Sequence, residues 1–271
     1  YSISFERNHS DILDRILAMR MVSGLLAIFP GGLYPHLTRR FQDGLPLVMI
    51  DDQERPAAVP WVGVDNVTSA YMATKHLLDL GYRRIAHMQG LQHYSCAMER
   101  SQGYAQALQD AGIALDPALL LQGSFDIPSG RQCAQSLFAC PKRAWPEALF
   151  VGNDQMAYGV LEVAEAQGVR VPEDLALVGF DDNILSAHMH PPLTTVHQPF
   201  SEMGHKAIEI LLTMIDPDHR AAEEQQKGEI LSSPERNGAS TGIDQSLHIQ
   251  LPTSLVVRAS SGAARSLLPG A

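Results

Sequence analysis

The run from Pro146 to Asp182, PEALFVGNDQMAYGVLEVAEAQGVRVPEDLALVGFDD, constrains the fold more than any other stretch of the chain. Ala148–Val151 is a short apolar stretch of buried-strand length. Asn153 and Asp154 carry side-chain oxygens suited to a helix start, and Met156, Ala157, Val160, Leu161 and Ala164 then recur at helical spacing. Gly168 stands where a helix C-terminus takes a left-handed residue, and Leu175–Phe180 reads as a second buried strand. Strand, helix and strand in that order specify a βαβ unit in a parallel sheet. In open α/β sheets ligands bind outside the carboxyl ends of the strands. The pair Asn153–Asp154 ends one strand and Asp181–Asp182 the next, so two acceptor-rich tips share that edge. A small-molecule site is expected there.

The same rhythm runs through most of the chain. Strands are expected at Ser2–Phe5, Leu25–Phe29, Leu47–Ile50, Trp61–Val64, Ile85–Met88, Leu119–Leu121, Ala148–Val151, Leu175–Val178 and Thr194–His197. Helical spacing is clearest at Thr68–Leu80, where Ala70, Ala73, Leu77 and Leu78 share a face and Gly81 follows. Gln102–Ala111 and Phe200–Ile215 read as further helices. Residues 216–245 break the pattern with polar, glycine- and serine-bearing sequence poor in large apolar residues, which reads as a surface insertion. Two short strands, His248–Leu251 and Leu255–Arg258, follow it.

Composition narrows the class. Hydrophobic residues at 45% and charged residues at 18% describe a globular protein, and 271 residues suffice for about two domains. No window of eighteen apolar residues is present, so no spanning helix is expected. A net charge of −10 argues against a nucleic-acid surface within these residues, since that needs a basic stripe. Cys96, Cys133 and Cys140 are odd in number and lack C-x-x-C spacing, so reduced structural thiols and a reducing, cytoplasmic compartment are expected. The chain opens at Tyr1 without a charged and then apolar leader pattern, although a leader upstream of Tyr1 stays open.

Several stretches together resemble the lactose-repressor/galactose-repressor (LacI/GalR) family of bacterial transcription regulators. They are VGVDNVTSAYMATKHLLDLGYRRIAHMQG (62–90), ERSQGYAQALQDAGI (99–113), the opening run, PPLTTVHQPFSEMGHKAIEILL (191–212) and LPTSLVVRAS (251–260). Five in this order make the resemblance specific. It implies an α/β, periplasmic-binding-protein-like fold of two doubly wound parallel-sheet lobes with a ligand cleft between them. Residues 1–64 with 199–251, including the polar insertion, would form one lobe, and 65–198 with 252–265 the other. Compared with the family pattern, the helix-turn-helix is absent from this chain, and so is the first βα unit of the first lobe. Operator DNA would then be bound only through the missing N-terminal domain of a longer product.

The resemblance also assigns residues. Arg100 matches a family arginine whose planar fork suits sugar hydroxyls, a carbonyl or a carboxylate; an exposed arginine at a helix start is the structural alternative. Asp181 matches an aspartate that accepts from ligand hydroxyls or ring N–H groups, or it caps the following turn. Asn153 matches a pocket amide, and Asp154 reads as the helix cap on the lobe surface, with Asp182 a structural partner. Phe125 matches an aromatic platform, a plain core phenylalanine being the alternative. Phe200 and Asp51 match pocket positions on the opposite lobe, and Tyr94 and Cys96 lie on the loop 91–97 that supplies selectivity contacts in the family. His188, His190 and His197 complete no metal template, and no G-x-S-x-G elbow, G-x-G-x-x-G fingerprint or P-loop occurs. The resemblance therefore implies a homodimeric, non-enzymatic sensor that takes a small ligand, expected to be a sugar or sugar derivative, with no cofactor, metal or membrane partner. A secreted sugar-binding receptor for transport or chemotaxis is the alternative on the same fold.

Overall fold

The computed structural model describes residues 22–28, 34–51, 59–216 and 248–262, with Arg15 and Ala18. The strand expected at Ser2–Phe5 and the polar insertion beyond Asp216 lie outside the described residues. In chain order the elements are β1 (Leu25–Ile28), α1 (Tyr34–Gln42), β2 (Leu47–Ile50), β3 (Trp61–Val64), α2 (Asn66–Asp79), β4 (Ile85–Gln89) and α3 (Ser95–Asp110). There follow β5 (Leu120–Gln122), α4 (Ile127–Phe138), β6 (Ala148–Val151), α5 (Asp154–Gln167), β7 (Ala176–Asp181), β8 (Thr194–His197), α6 (Phe200–Ile215), β9 (His248–Leu251) and β10 (Ser254–Val256). They fall into two compact units, Tyr1–Val64 with Phe200–Leu251, and Asp65–Pro199 with Pro252–Ala271.

The first unit is a parallel sheet in the order β1-β2-β3-β9. Alternate residues of its strands point to opposite faces. Val48, Ile50, Val62 and Val64 meet Met203, Ala207 and Ile210 of α6, while Leu47, Met49 and Trp61 meet Leu37 of α1. Both faces are covered, which is why these strands read as continuous apolar runs.

The second unit has six strands in the order β10-β8-β7-β6-β4-β5, parallel except for β10 against β8. Ala148 and Phe150 of β6 pack with Ala70, Ala73 and Leu77 of α2 and Tyr104 and Leu108 of α3. Leu149 and Val151 face the other way, onto Ala134 of α4 and Met156, Ala157 and Val160 of α5. The helices approach each other through glycine. A Cβ on Gly103 would lie 2.1 Å from the Val67 carbonyl, and one on Gly159 2.3 Å from that of Ile127.

Boundaries move where capping or small buried residues, rather than apolar spacing, define an element. Helix α2 starts at Asn66 because Asp65 caps it, its Oδ1 accepting from the Thr68 amide at 3.0 Å. Helix α3 starts at Ser95 and not Gln102, since its first turns bury Cys96, Ala97 and Arg100, residues that draw no apolar stripe. Strand β7 runs on to Asp181, which still pairs with His197. Strand β5 is shifted one residue, to Leu120–Gln122, and β10 is Ser254–Val256 instead of Leu255–Arg258.

Candidate functional site

Arg100 stands on the second turn of α3 and is buried, with 3% of its surface exposed. An unpaired guanidinium at that depth would cost several kcal/mol, so its surroundings must answer the charge. Its Nε donates to Asn66 Oδ1 at 2.9 Å and its Nη1 to the Gly152 carbonyl at 2.6 Å. Its Cζ lies 3.6 Å from the centre of the Phe180 ring, a close cation–π contact. Asp181 Oδ1 stands 4.0 Å from Nη1, an ion pair too long to be a hydrogen bond. Among the described residues Nη2 makes no hydrogen bond. The alternative of an exposed arginine is thereby replaced: the helix begins earlier, and Arg100 points into the edge where β4, β6 and β7 end.

Asp181 accepts a hydrogen bond from Gln198 Nε2 at 2.8 Å. It leads a turn in which φ is 113° at Asp181 and 56° at Asp182. Left-handed backbone is unfavourable for residues with a Cβ and clusters at functional sites. Among the described residues only two others besides glycines share it, Asp51 at 50° and Phe125 at 67°. Asp182 is the structural partner, accepting from Arg258 Nη2 at 2.7 Å and facing His197 Nδ1 at 3.0 Å.

Asn153 is the N-cap of α5, its Oδ1 accepting from the Met156 amide at 3.0 Å. Its Nδ2 donates to the Phe125 carbonyl at 3.0 Å, so it also ties down the strained Phe125 turn. The Phe125 ring covers Gly90, where any Cβ would fall within 1.9 Å of it. Tyr94 lies parallel to that ring, 6.2 Å away and tilted 10°, and Arg100 Cζ is 6.0 Å from its centre. Arg100, Asp181, Asn153, Phe125 and Tyr94 thus gather at the carboxyl edge of the second unit's sheet.

Two assignments change. Cys96 is not on a loop: it is 4% exposed in the first turn of α3 because the helix begins at Ser95. Asp154 is neither the cap nor a surface residue. It is fully buried, and its carboxylate accepts from Thr195 Oγ1 at 2.6 Å, Ser186 Oγ at 2.5 Å and the Asn183 amide at 3.0 Å. Burial pushes it up to about 6 against these hydrogen bonds. Asp51 and Phe200 belong to the first unit, Asp51 buried just past β2 and Phe200 47% exposed at the start of α6.

Sequence reasoning missed the residues that hold Arg100 in place: Asn66, the Gly152 carbonyl and the Phe180 ring. It also missed Gln198, 1% exposed, whose Oε1 is buried without a hydrogen-bond partner. Asn66 and Gln198 lie inside the quoted stretches VGVDN and PPLTTVHQP, so their positions were on view, but only the contacts reveal their roles. Chemically the edge offers a fixed cation, a carboxylate, amides and two aromatic faces, a set that binds polar rings. No group of three His, Cys, Asp or Glu side chains among the described residues could hold a metal.

Comparison with known proteins agrees with this architecture. A family model described as a periplasmic binding protein-like domain matches residues 74–233. The HTH-type transcriptional repressor CytR of Escherichia coli (strain K12) is 37% identical over 174 residues, 64% of this chain and 50% of that protein. The HTH-type transcriptional repressor PurR of Aliivibrio fischeri is 34% identical over 225 residues, 80% of this chain and 65% of that protein. The chain thus spans half to two-thirds of the length of these curated relatives. Among solved structures, the transcriptional regulator CelR in complex with cellobiose superposes with a TM-score of 0.74 at 31% identity, covering 95% of this chain and 71% of that one. A LacI-family regulatory protein from Chloroflexus aggregans gives 0.77 at 26% identity, covering 96% and 85%. The chain belongs to the LacI family of transcriptional regulators and carries its periplasmic-binding-protein-like domain.

Proposed function

We propose that this domain senses a small polar ligand for a transcriptional regulator, seating it at the carboxyl edge of the second unit's sheet. Arg100 and Asp181 grip the ligand's polar groups, Asn153 adds an amide, and Phe125 with Tyr94 offers a ring platform. The observation that carries this reading is the approach of Arg100 to Asp181 at 4.0 Å, with the guanidinium 6.0 Å from the centre of the Phe125 ring. A sugar or sugar derivative suits a site that pairs charge-assisted acceptors and donors with an apolar face. Asp51 and Phe200 remain assigned to ligand contact by the family resemblance. The ligand shifts a two-state equilibrium that a DNA-binding region of the parent protein reads, by no more than its differential affinity for the two states. Relatives named as repressors favour this role, in the cytoplasm, over a transport receptor or an enzyme. Homodimerisation is supported by Ile184 and Leu185, 87% and 59% exposed on a 3-10 turn.

A thermal-shift panel of sugars (cellobiose included), nucleosides and purines tests the reading. A compound at 100 times its dissociation constant should stabilise the protein by about 2.7 kcal/mol. Arg100→Ala and Asp181→Asn should each remove that response, and normal binding by both variants would move the site elsewhere.

A further inference from the structure

Asp154 is buried at the start of α5, yet the cap there is Asn153, and the Asp154 carboxylate bonds nothing on its own helix. All its partners come from elsewhere. Thr195 Oγ1 on β8 donates to Oδ1, while the Asn183 amide and Ser186 Oγ, both beyond β7, donate to Oδ2. Tyr158, one turn further along α5, completes the chain by donating to Ser186 Oγ at 2.8 Å. Strand β7 passes so close that a Cβ on Gly179 would lie 2.3 Å from Asp154 Oδ1. One carboxylate therefore binds the segment that leaves the Asp181–Asp182 turn and the β8 strand that follows it.

That turn needs holding. Two successive non-glycine residues have positive φ, and no regular ladder pairs the chain between Asp181 and Thr194. Left-handed backbone is unfavourable for residues with a Cβ, so the conformation persists only where its surroundings over-determine it. The Asn183 amide is the first backbone donor after the strained pair, and Asp154 is its acceptor. Thr195 Oγ1 also accepts from the Asp182 amide at 3.4 Å, a weak contact in the same network.

We propose that Asp154 is the positioning residue of the ligand site: its carboxylate clamps the Asp181–Asn183 turn and so fixes the distance between Asp181 and Arg100. The proposal rests on the reading of Asp181 as a ligand group. It also explains why a carboxylate is kept in a buried place, since a backbone N–H and two hydroxyls need an acceptor that reaches all three.

The test is free of ligand. Amide hydrogen exchange at Asn183 is measured by NMR in the wild type, Asp154→Ala and Asp154→Asn. Losing the acceptor in Asp154→Ala should speed Asn183 exchange about tenfold or more, while the β6 amides of residues 148–151 keep their protection. Asp154→Asn retains an oxygen for the Asn183 amide and Ser186, and its Nδ2 can face Thr195, whose hydroxyl can turn to accept, so exchange should return to within about threefold of wild type. A crystal structure of Asp154→Ala should show Asp181 displaced from Arg100. If Asp154→Ala fails to fold, the wild type decides: Asn183, outside any ladder, should exchange at least about tenfold more slowly than an unstructured amide if Asp154 holds it. Wild-type protection or an undisplaced Asp181 in the folded alanine variant, or an unprotected Asn183 amide in the wild type, overturns the proposal. Failure of the ligand reading would appear separately, as wild-type thermal shifts in Arg100→Ala and Asp181→Asn with the exchange result intact.

Discussion

Replacing His87 with leucine should stabilise the second unit, and by an amount that grows as the pH falls. His87 lies on β4 with none of its surface exposed, between the Phe150 ring at 4.8 Å and Tyr104 at 5.1 Å. Its Nδ1 donates to the Phe150 carbonyl at 3.1 Å, so Nε2 carries a lone pair, and that atom is buried without a partner. Leucine of similar volume gives up one neutral hydrogen bond worth about 1 kcal/mol and removes an orphan acceptor costing about 1–3 kcal/mol. The net gain near neutral pH is about 1 kcal/mol. Burial, with Arg100 adding to it, lowers His87 from 6.5 to about 4. Below pH 6.5 the unfolded chain therefore binds a proton that the folded one refuses, and stability falls as the pH drops toward 4. Between about pH 7.5 and 4.5 that linkage removes about 2.5 kcal/mol from the wild type and nothing from His87→Leu. Other titrating groups, Asp154 among them, act on both proteins alike and cancel in the difference. Trp145 lies in the second unit, so urea titrations followed by its fluorescence in a Trp61→Phe background report this transition. A gap between the two proteins that stays constant from pH 7.5 to 4.5 would mean that His87 is not held neutral by the fold.

Other consequences are simpler to state. Gly103→Ala drives a methyl toward the Val67 carbonyl, where only 2.1 Å is available, and should destabilise the second unit by about 1–3 kcal/mol in a thermal melt. A thiol reagent such as Ellman's should label exposed Cys140 first. Half-buried Cys133, pushed up to about 11 by burial, should react more slowly, and buried Cys96 only on unfolding, as mass spectrometry of timed samples would show. Ile184→Asp removes an exposed apolar side chain from the proposed dimer surface and should shift sedimentation toward the monomer without lowering the melting temperature of the second unit. A variant that stays as associated as wild type would exclude that surface.

Periodicity and punctuation were enough to read the layered architecture. Helix α6 was legible to the residue because Met203, Ala207 and Ile210 form an uninterrupted inward stripe. Strand β6 was legible because burial on both faces makes it wholly apolar, and Gly168 takes the left-handed conformation, φ 68°, that its place past α5 suggested. The start of α3 was not legible. Cys96, Ala97 and Arg100 are buried there for reasons that depend on β4, β6 and β7.

The site divides in the same way. Strand reading placed Asn153 and Asp181 at strand ends, because that position follows from where strands stop and is local, while Arg100 and Phe125 were assigned only by the family resemblance. Tertiary structure alone decided that Arg100 is buried on the Phe180 ring, and that His87 has one nitrogen without a partner. It also decided that the Asp154 carboxylate turns from its own helix to residues beyond β7 and on β8. Each of those outcomes depends on groups distant in sequence that meet only when the sheet assembles. A charge's environment is a property of that assembly, and no spacing along the chain encodes it.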